Sequence, residues 1–87
     1  MTMKELADKL FEAYKDAHDN FSGPTFLNRG GDYGDDHISF AFATDKSLRR
    51  MALLEADSLE DYIDMIEDVV VSDEDGRRYI RIKTKDM

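Results

Sequence analysis

The chain has 87 residues, no cysteine, a single proline, 41% apolar residues including nine aromatics, and a formal net charge of −8. That length implies one small domain spanning residues 1–87, and the lack of cysteine excludes disulfides and thiolate metal sites. No apolar run approaches the ~20 residues that cross a bilayer, and no leader-like segment precedes the first helix, so a cytoplasmic protein is expected.

Residues 2–19 predict an amphipathic helix. Thr2 and Glu5 have the spacing of a capping box, and Leu6, Leu10, Ala13, Tyr14 and Ala17 fall on one side at 100° per residue. Glu5, Asp8, Glu12, Asp16 and Asp19 make a narrow acidic stripe on the other side. Ser22-Gly23-Pro24 ends the helix, because proline cannot continue its hydrogen-bond ladder. A short strand through Phe26 and Leu27 follows, then a Gly- and Asp-rich loop over 30–36. His37 to Ala43 alternates as a strand, with Ile38, Phe40 and Phe42 on one face. Residues 48–56 (LRRMALLEA) fit either a helix or a strand. As a strand returning from a turn at Asp45-Lys46, they set Phe40 opposite Met51 and Ile38 opposite Leu53.

A second helix is expected over about 58–68, capped by Ser58 with Asp61, turning Leu59, Tyr62, Ile63 and Ile66 inward. Asp75-Gly76 is a two-residue hairpin signal. Folding there pairs Glu74 with Arg77 and Asp73 with Arg78, and puts Val71 opposite Ile80 and Val69 opposite Ile82. The expected fold is α+β in the order α-β-β-β-α-β-β: an antiparallel sheet of four to five strands with two amphipathic helices on one face.

The acidity is concentrated. Between Met51 and Gly76 stand Glu55, Asp57, Glu60, Asp61, Asp64, Glu67, Asp68, Asp73, Glu74 and Asp75, with no Lys or Arg among them. Such charge repels nucleic acid and anionic membrane and attracts basic protein surfaces. Carboxylates at i and i+4 on a helix are about 6 Å apart, similar to successive phosphates along a strand. The expected function is therefore a small acidic interaction protein occupying a basic, nucleic-acid-binding surface of a nuclease or defence complex. The residues assigned to that contact are Asp57, Glu60, Asp61, Asp64, Glu67 and Asp68, with Glu12, Asp16 and Asp19 from the first helix. In size and charge the chain resembles the small acidic inhibitors that phages make against host defence, anti-CRISPR and anti-restriction proteins among them. An immunity protein or antitoxin for a basic nuclease toxin is an alternative within the same class, and solvated helix faces are the plain alternative to both.

Other features point elsewhere. Arg77, Arg81, Lys83 and Lys85 share strand parity and fit intramolecular or homodimer contacts better than a phosphate site. The loop residues Asp32, Asp35, Asp36 and His37 form an alternative metal-binding or hydrolytic site, although their spacing does not match an EF-hand. No serine lies in a nucleophile elbow and no phosphate loop is present, so neither an enzyme nor a cofactor is expected.

Overall fold

Helix α1 spans Met3–Asn20, followed by β1 (Thr25–Asn28), β2 (Asp35–Ile38), helix α2 (Asp45–Ser58), a 3-10 turn (Glu60–Tyr62), β3 (Ile66–Glu74) and β4 (Arg77–Thr84). This is the computed structural model of the protein, which describes residues 1–30 and 34–85. The class is α+β, with two helices and a four-stranded sheet.

Both helices start at a capping box. The Thr2 hydroxyl accepts from the Glu5 amide at 3.1 Å while Glu5 Oε1 accepts from the Thr2 amide at 3.2 Å. Thr44 and Ser47 exchange the equivalent bonds at 3.2 and 2.8 Å. Residues 48–56 are therefore helical, and the strand reading is corrected. Leu, Arg, Met, Ala and Glu are strong helix formers, and Leu48, Ala52 and Ala56 recur at i, i+4 and i+8 to give a buried stripe.

The second predicted helix, 58–68, is also corrected. Helix α2 ends at Ser58, and Ile66 already belongs to a strand. A helix through Glu60, Asp61, Asp64, Glu67 and Asp68 would stack like charges one turn apart with no base to relieve them. The chain instead makes one 3-10 turn and extends. Leu59 and Ile66 are buried at either end of the turn, so they serve as anchors in a different backbone. The predicted strand at 37–43 is shortened to Asp35–Ile38. Beyond it the Ala43 amide donates to the Phe40 carbonyl at 2.9 Å, and Phe42 stands fully exposed with a left-handed φ of 63°.

The hairpin forms in the predicted register. Glu74 pairs with Arg77, Asp73 with Arg78, Val71 with Ile80 and Val69 with Ile82. Asp75 and Gly76 both have positive φ, as a two-residue turn of this type requires. The sheet as a whole is mixed rather than antiparallel, in the order β2-β1-β4-β3 with β1 and β4 running parallel. The reason is where the hairpin docks. The Arg78 amide donates to the Pro24 carbonyl at 3.0 Å, which starts the β1–β4 pairing. Gly23 admits the turn beside it, since a Cβ there would lie 2.3 Å from the Gly76 carbonyl oxygen.

One apolar cluster joins Leu6, Leu10, Ala13 and Tyr14 of α1, Leu48, Ala52 and Ala56 of α2, and Leu27, Ile66, Ile80 and Ile82 of the sheet. Each fully buried Leu or Ile contributes about 1.5–3 kcal/mol relative to exposure. Leu27 and Ile80 are register partners, so the cluster uses one side of the central strands. The other side carries Phe26 stacked on Tyr79 (centroids 5.5 Å apart), His37 edge-on to Phe26, and the Arg81 guanidinium 4.8 Å over Tyr79.

Candidate functional site

Folding divides the carboxylates into two groups. Most of the α1 stripe is spoken for. Asp8 meets Lys4 at 3.0 Å and Arg49 at 2.8 Å, and Glu5 caps its own helix. Asp16 meets Arg78 at 2.7 Å, and Asp19 meets Lys15 at 3.2 Å and the His18 ring at 2.8 Å. Hydrogen bonds from His18 and Lys15 hold the Asp19 carboxyl below its usual range. Of the stripe residues assigned to partner contact, only Glu12 keeps an unengaged carboxylate among the described residues.

The same holds along β3 for Glu67, Asp68 and Asp73, whereas Glu74 and the turn residue Asp75 are exposed with no cation within 4.0 Å among the described residues. Asp68 meets Lys9 at 3.1 Å and accepts from the Val69 amide, which holds its carboxyl low. Glu67 lies 3.8 Å from Lys83. Asp73 takes two bonds from the buried Arg78 guanidinium, at 2.8 and 3.0 Å, and is depressed by them.

Asp57, Glu60, Asp61 and Asp64 differ. All four are exposed, and among the described residues none has a Lys, Arg or His nitrogen within 4.0 Å. They sit at the end of α2 and in the turns that follow, so sequence adjacency rather than a helical stripe brings them together.

Sequence reasoning missed what accompanies them. Helix α2 buries Leu48 and its two alanines but exposes its other leucines: Ala52 and Ala56 are at most 2% exposed, while Leu53 is 48% and Leu54 60% exposed. Tyr62 at 54% and Met65 at 45% continue the pattern. A surface that leaves four large apolar residues in water beside four unneutralised carboxylates has the composition of a docking patch. The signal was present in the sequence, because a stripe of Leu48, Ala52 and Ala56 leaves the bulky Leu53 and Leu54 off the buried side.

Of the residues of the alternative metal or hydrolytic reading, the described ones do not converge: strand alternation sets Asp36 on the other side of the sheet from Asp35. Asp32 lies outside the described residues. Asp35 pairs with Asn28 and accepts from its amide nitrogen at 2.8 Å, whereas Asp36 pairs with Leu27 on the opposite side of the sheet and binds Arg29. Among the described residues no group of three or more His, Asp or Glu is placed to hold a metal ion.

Asp36 instead edges a cleft of about 500 Å³ between α2 and β2, with Tyr14 and Leu27 among its lining residues. Here Arg29 bridges the two elements. Its Nε and Nη2 donate to Glu55 at 2.9 and 2.8 Å, and its Nη1 donates to Asp36. The Glu55 side chain is only 10% exposed, and the Ser58 hydroxyl also donates to it at 2.9 Å. These contacts hold the Arg29 guanidinium above its usual value, chiefly through Glu55.

Among the described residues no helix is long and apolar enough to cross a membrane. Comparison with protein-family models, with curated proteins and with solved structures gives no match.

Proposed function

We propose that the protein is an interaction module that docks through residues 53–65 onto a basic surface of another protein, of the kind that otherwise binds nucleic acid. The observation that supports this is the coincidence of two unsatisfied sets in one short segment. Among the described residues Asp57, Glu60, Asp61 and Asp64 have no cation within 4.0 Å, and Leu53, Leu54, Tyr62 and Met65 are about half exposed. The carboxylates steer encounter and set the sign of the partner, while the apolar side chains supply the desolvated contact that gives affinity. A nucleic-acid-binding groove suits both, being lined with Lys and Arg and ready to release its counterions to any polyanion. On this reading Glu12 is a peripheral contact. Asp16, Asp19, Glu67 and Asp68 would have to give up internal ion pairs to take part.

The test is affinity capture from a nuclease-treated bacterial lysate with three baits: the native chain, an Asp57→Asn, Glu60→Gln, Asp61→Asn, Asp64→Asn variant, and a Leu54→Ser, Tyr62→Ala variant. A nucleic-acid-binding protein held by the native bait, released by salt and lost from both variants supports the proposal. Retention of the same protein by the charge-neutralised variant sinks it.

A further inference from the structure

The cleft between α2 and β2 supports a second binding site, which shares Leu54 with the docking surface but is argued from its own polar groups and stands whether or not that surface has a partner. Tyr14 lines it and is 2% exposed, yet its hydroxyl has no hydrogen-bond partner among the described residues. Burial, with the Glu55 carboxylate nearby, pushes the phenol well above its usual range, so it remains a neutral hydroxyl. Among the described residues no fully buried side-chain nitrogen or oxygen lacks a partner, so this hydroxyl opens into the cleft, where a water or a ligand can bond to it.

Charge narrows the ligand class. Arg29 is the one permanent cation on the lining, and it is bonded to both Glu55 and Asp36, so the three groups sum to −1. An anion entering would face two carboxylates and a guanidinium already committed to them. Asp36 Oδ2 accepts from Arg29, while its Oδ1 is unengaged among the described residues. Leu27, Met51 and Leu54 also line the cleft. We propose that the cleft binds an alkylguanidinium or alkylammonium group, with the stem on Met51 and Leu54 and the head between Asp36 Oδ1 and the Tyr14 hydroxyl oxygen. Removal of one such charge-assisted hydrogen bond weakens binding by about tenfold or more.

The same head and stem occur on a free small amine or guanidine and on an arginine or lysine side chain of a peptide. The experiment follows the methyl NMR signals of Met51 and Leu54 during titration with n-butylguanidinium, N-acetyl-L-arginine methylamide and the neutral N-acetyl-L-citrulline methylamide. Saturable shifts with at least one of the two cations, and binding of the citrulline compound about tenfold weaker or absent, support the site. Preference for butylguanidinium identifies free small cations as the occupants, and equal or better binding of the capped arginine identifies a side chain. Tyr14→Phe and Asp36→Asn should each weaken the cation about tenfold or more. Asp36→Asn keeps an acceptor for Arg29 and so provides the informative variant if Tyr14→Phe fails to fold. The proposal is overturned if neither cation gives a saturable shift, if citrulline binds as well, or if Asp36→Asn leaves the affinity unchanged.

Discussion

The segment 53–65 and the hairpin 66–84 are adjacent in the chain and both rich in carboxylates, yet among the described residues three of the hairpin's five are paired with a cation and only one of the segment's five, Glu55, is. In the hairpin Asp73 is held by Arg78, Glu67 approaches Lys83, and Asp68 reaches across to Lys9 on α1. In the preceding segment Asp57, Glu60, Asp61 and Asp64 have no such partner among the described residues, and large apolar side chains stand beside them in solvent. The difference lies in the elements that carry the charges. The hairpin register sets Asp73 opposite Arg78, and the packing of β4 and α1 beside β3 brings Lys83 and Lys9 to Glu67 and Asp68. A turn at the end of a helix presents its side chains outward, with nothing opposite them. Clustered charge in a sequence therefore overstates available charge, and the topology decides how much remains for a partner.

Removing the base on which the hairpin relies should break the comparison most sharply. Arg78 is 9% exposed, ties Asp73 and Asp16 together, and lies 4.5 Å over the Phe21 ring. Arg78→Ala takes out that packing and leaves two carboxylates uncompensated, with an expected loss of about 3 kcal/mol in urea unfolding. Gly23→Ala attacks the docking of the same hairpin from the other side. Its Cβ would meet the Gly76 carbonyl oxygen at 2.3 Å, backbone that has little room to yield, so a loss of about 2 kcal/mol is expected. A loss below about 0.5 kcal/mol in either variant would mean that the hairpin is not seated on β1 as described.

Acid should separate the two regions as well. The Asp73 carboxyl is depressed by its hydrogen bonds from Arg78, and Asp8, Asp19 and Asp68 are depressed by their own partners. A carboxylate with a lowered folded-state pKa contributes stability above its unfolded value near ~3.9, and that stability is lost as pH falls through the folded value. The urea midpoint is expected to fall below about pH 4. In Arg78→Ala the fall should be shallower, because Asp73 no longer titrates against its guanidinium. An identical acid limb in the two proteins would remove Asp73 from the account.

How far the sequence discloses the fold depends on whether a feature is local. The hairpin is legible because Asp75-Gly76, two rungs of opposite charge and two rungs of β-branched residues all select one register. The Thr2–Glu5 box and the buried face of α1 are equally local. Residues 48–56 satisfy both a helical and a strand pattern, and Thr44 with Ser47 decides the matter, a capping box whose second member is a serine rather than an acid. The parallel β1–β4 contact is encoded only in what Gly23 and Pro24 permit, and no periodicity announces it. Among the site residues, the acids of 57–64 could be read directly, but that the α1 stripe is consumed by Arg78, Lys15 and Arg49 could not. The cleft depends on Arg29 meeting Glu55 across 26 positions, a contact that only the folded chain makes.

The smallest effect expected on stability is the one that tests function most directly. Asp57, Glu60, Asp61 and Asp64 are exposed and have no cation to lose, so converting them to Asn, Gln, Asn and Asn removes repulsion and little else. The urea midpoint should stay within about 0.5 kcal/mol of the native value or rise slightly, whereas neutralising Asp73 and Asp68 instead should lower it. That contrast holds whether or not a partner is known, since it asks only whether the acids are structural. Destabilisation of the 57–64 variant by more than about 1 kcal/mol would show that these carboxylates stabilise the fold. A unique role in docking could then no longer be inferred from their lack of partners. An unchanged fold, together with lost capture of a basic protein, would place the function of the segment in its charge.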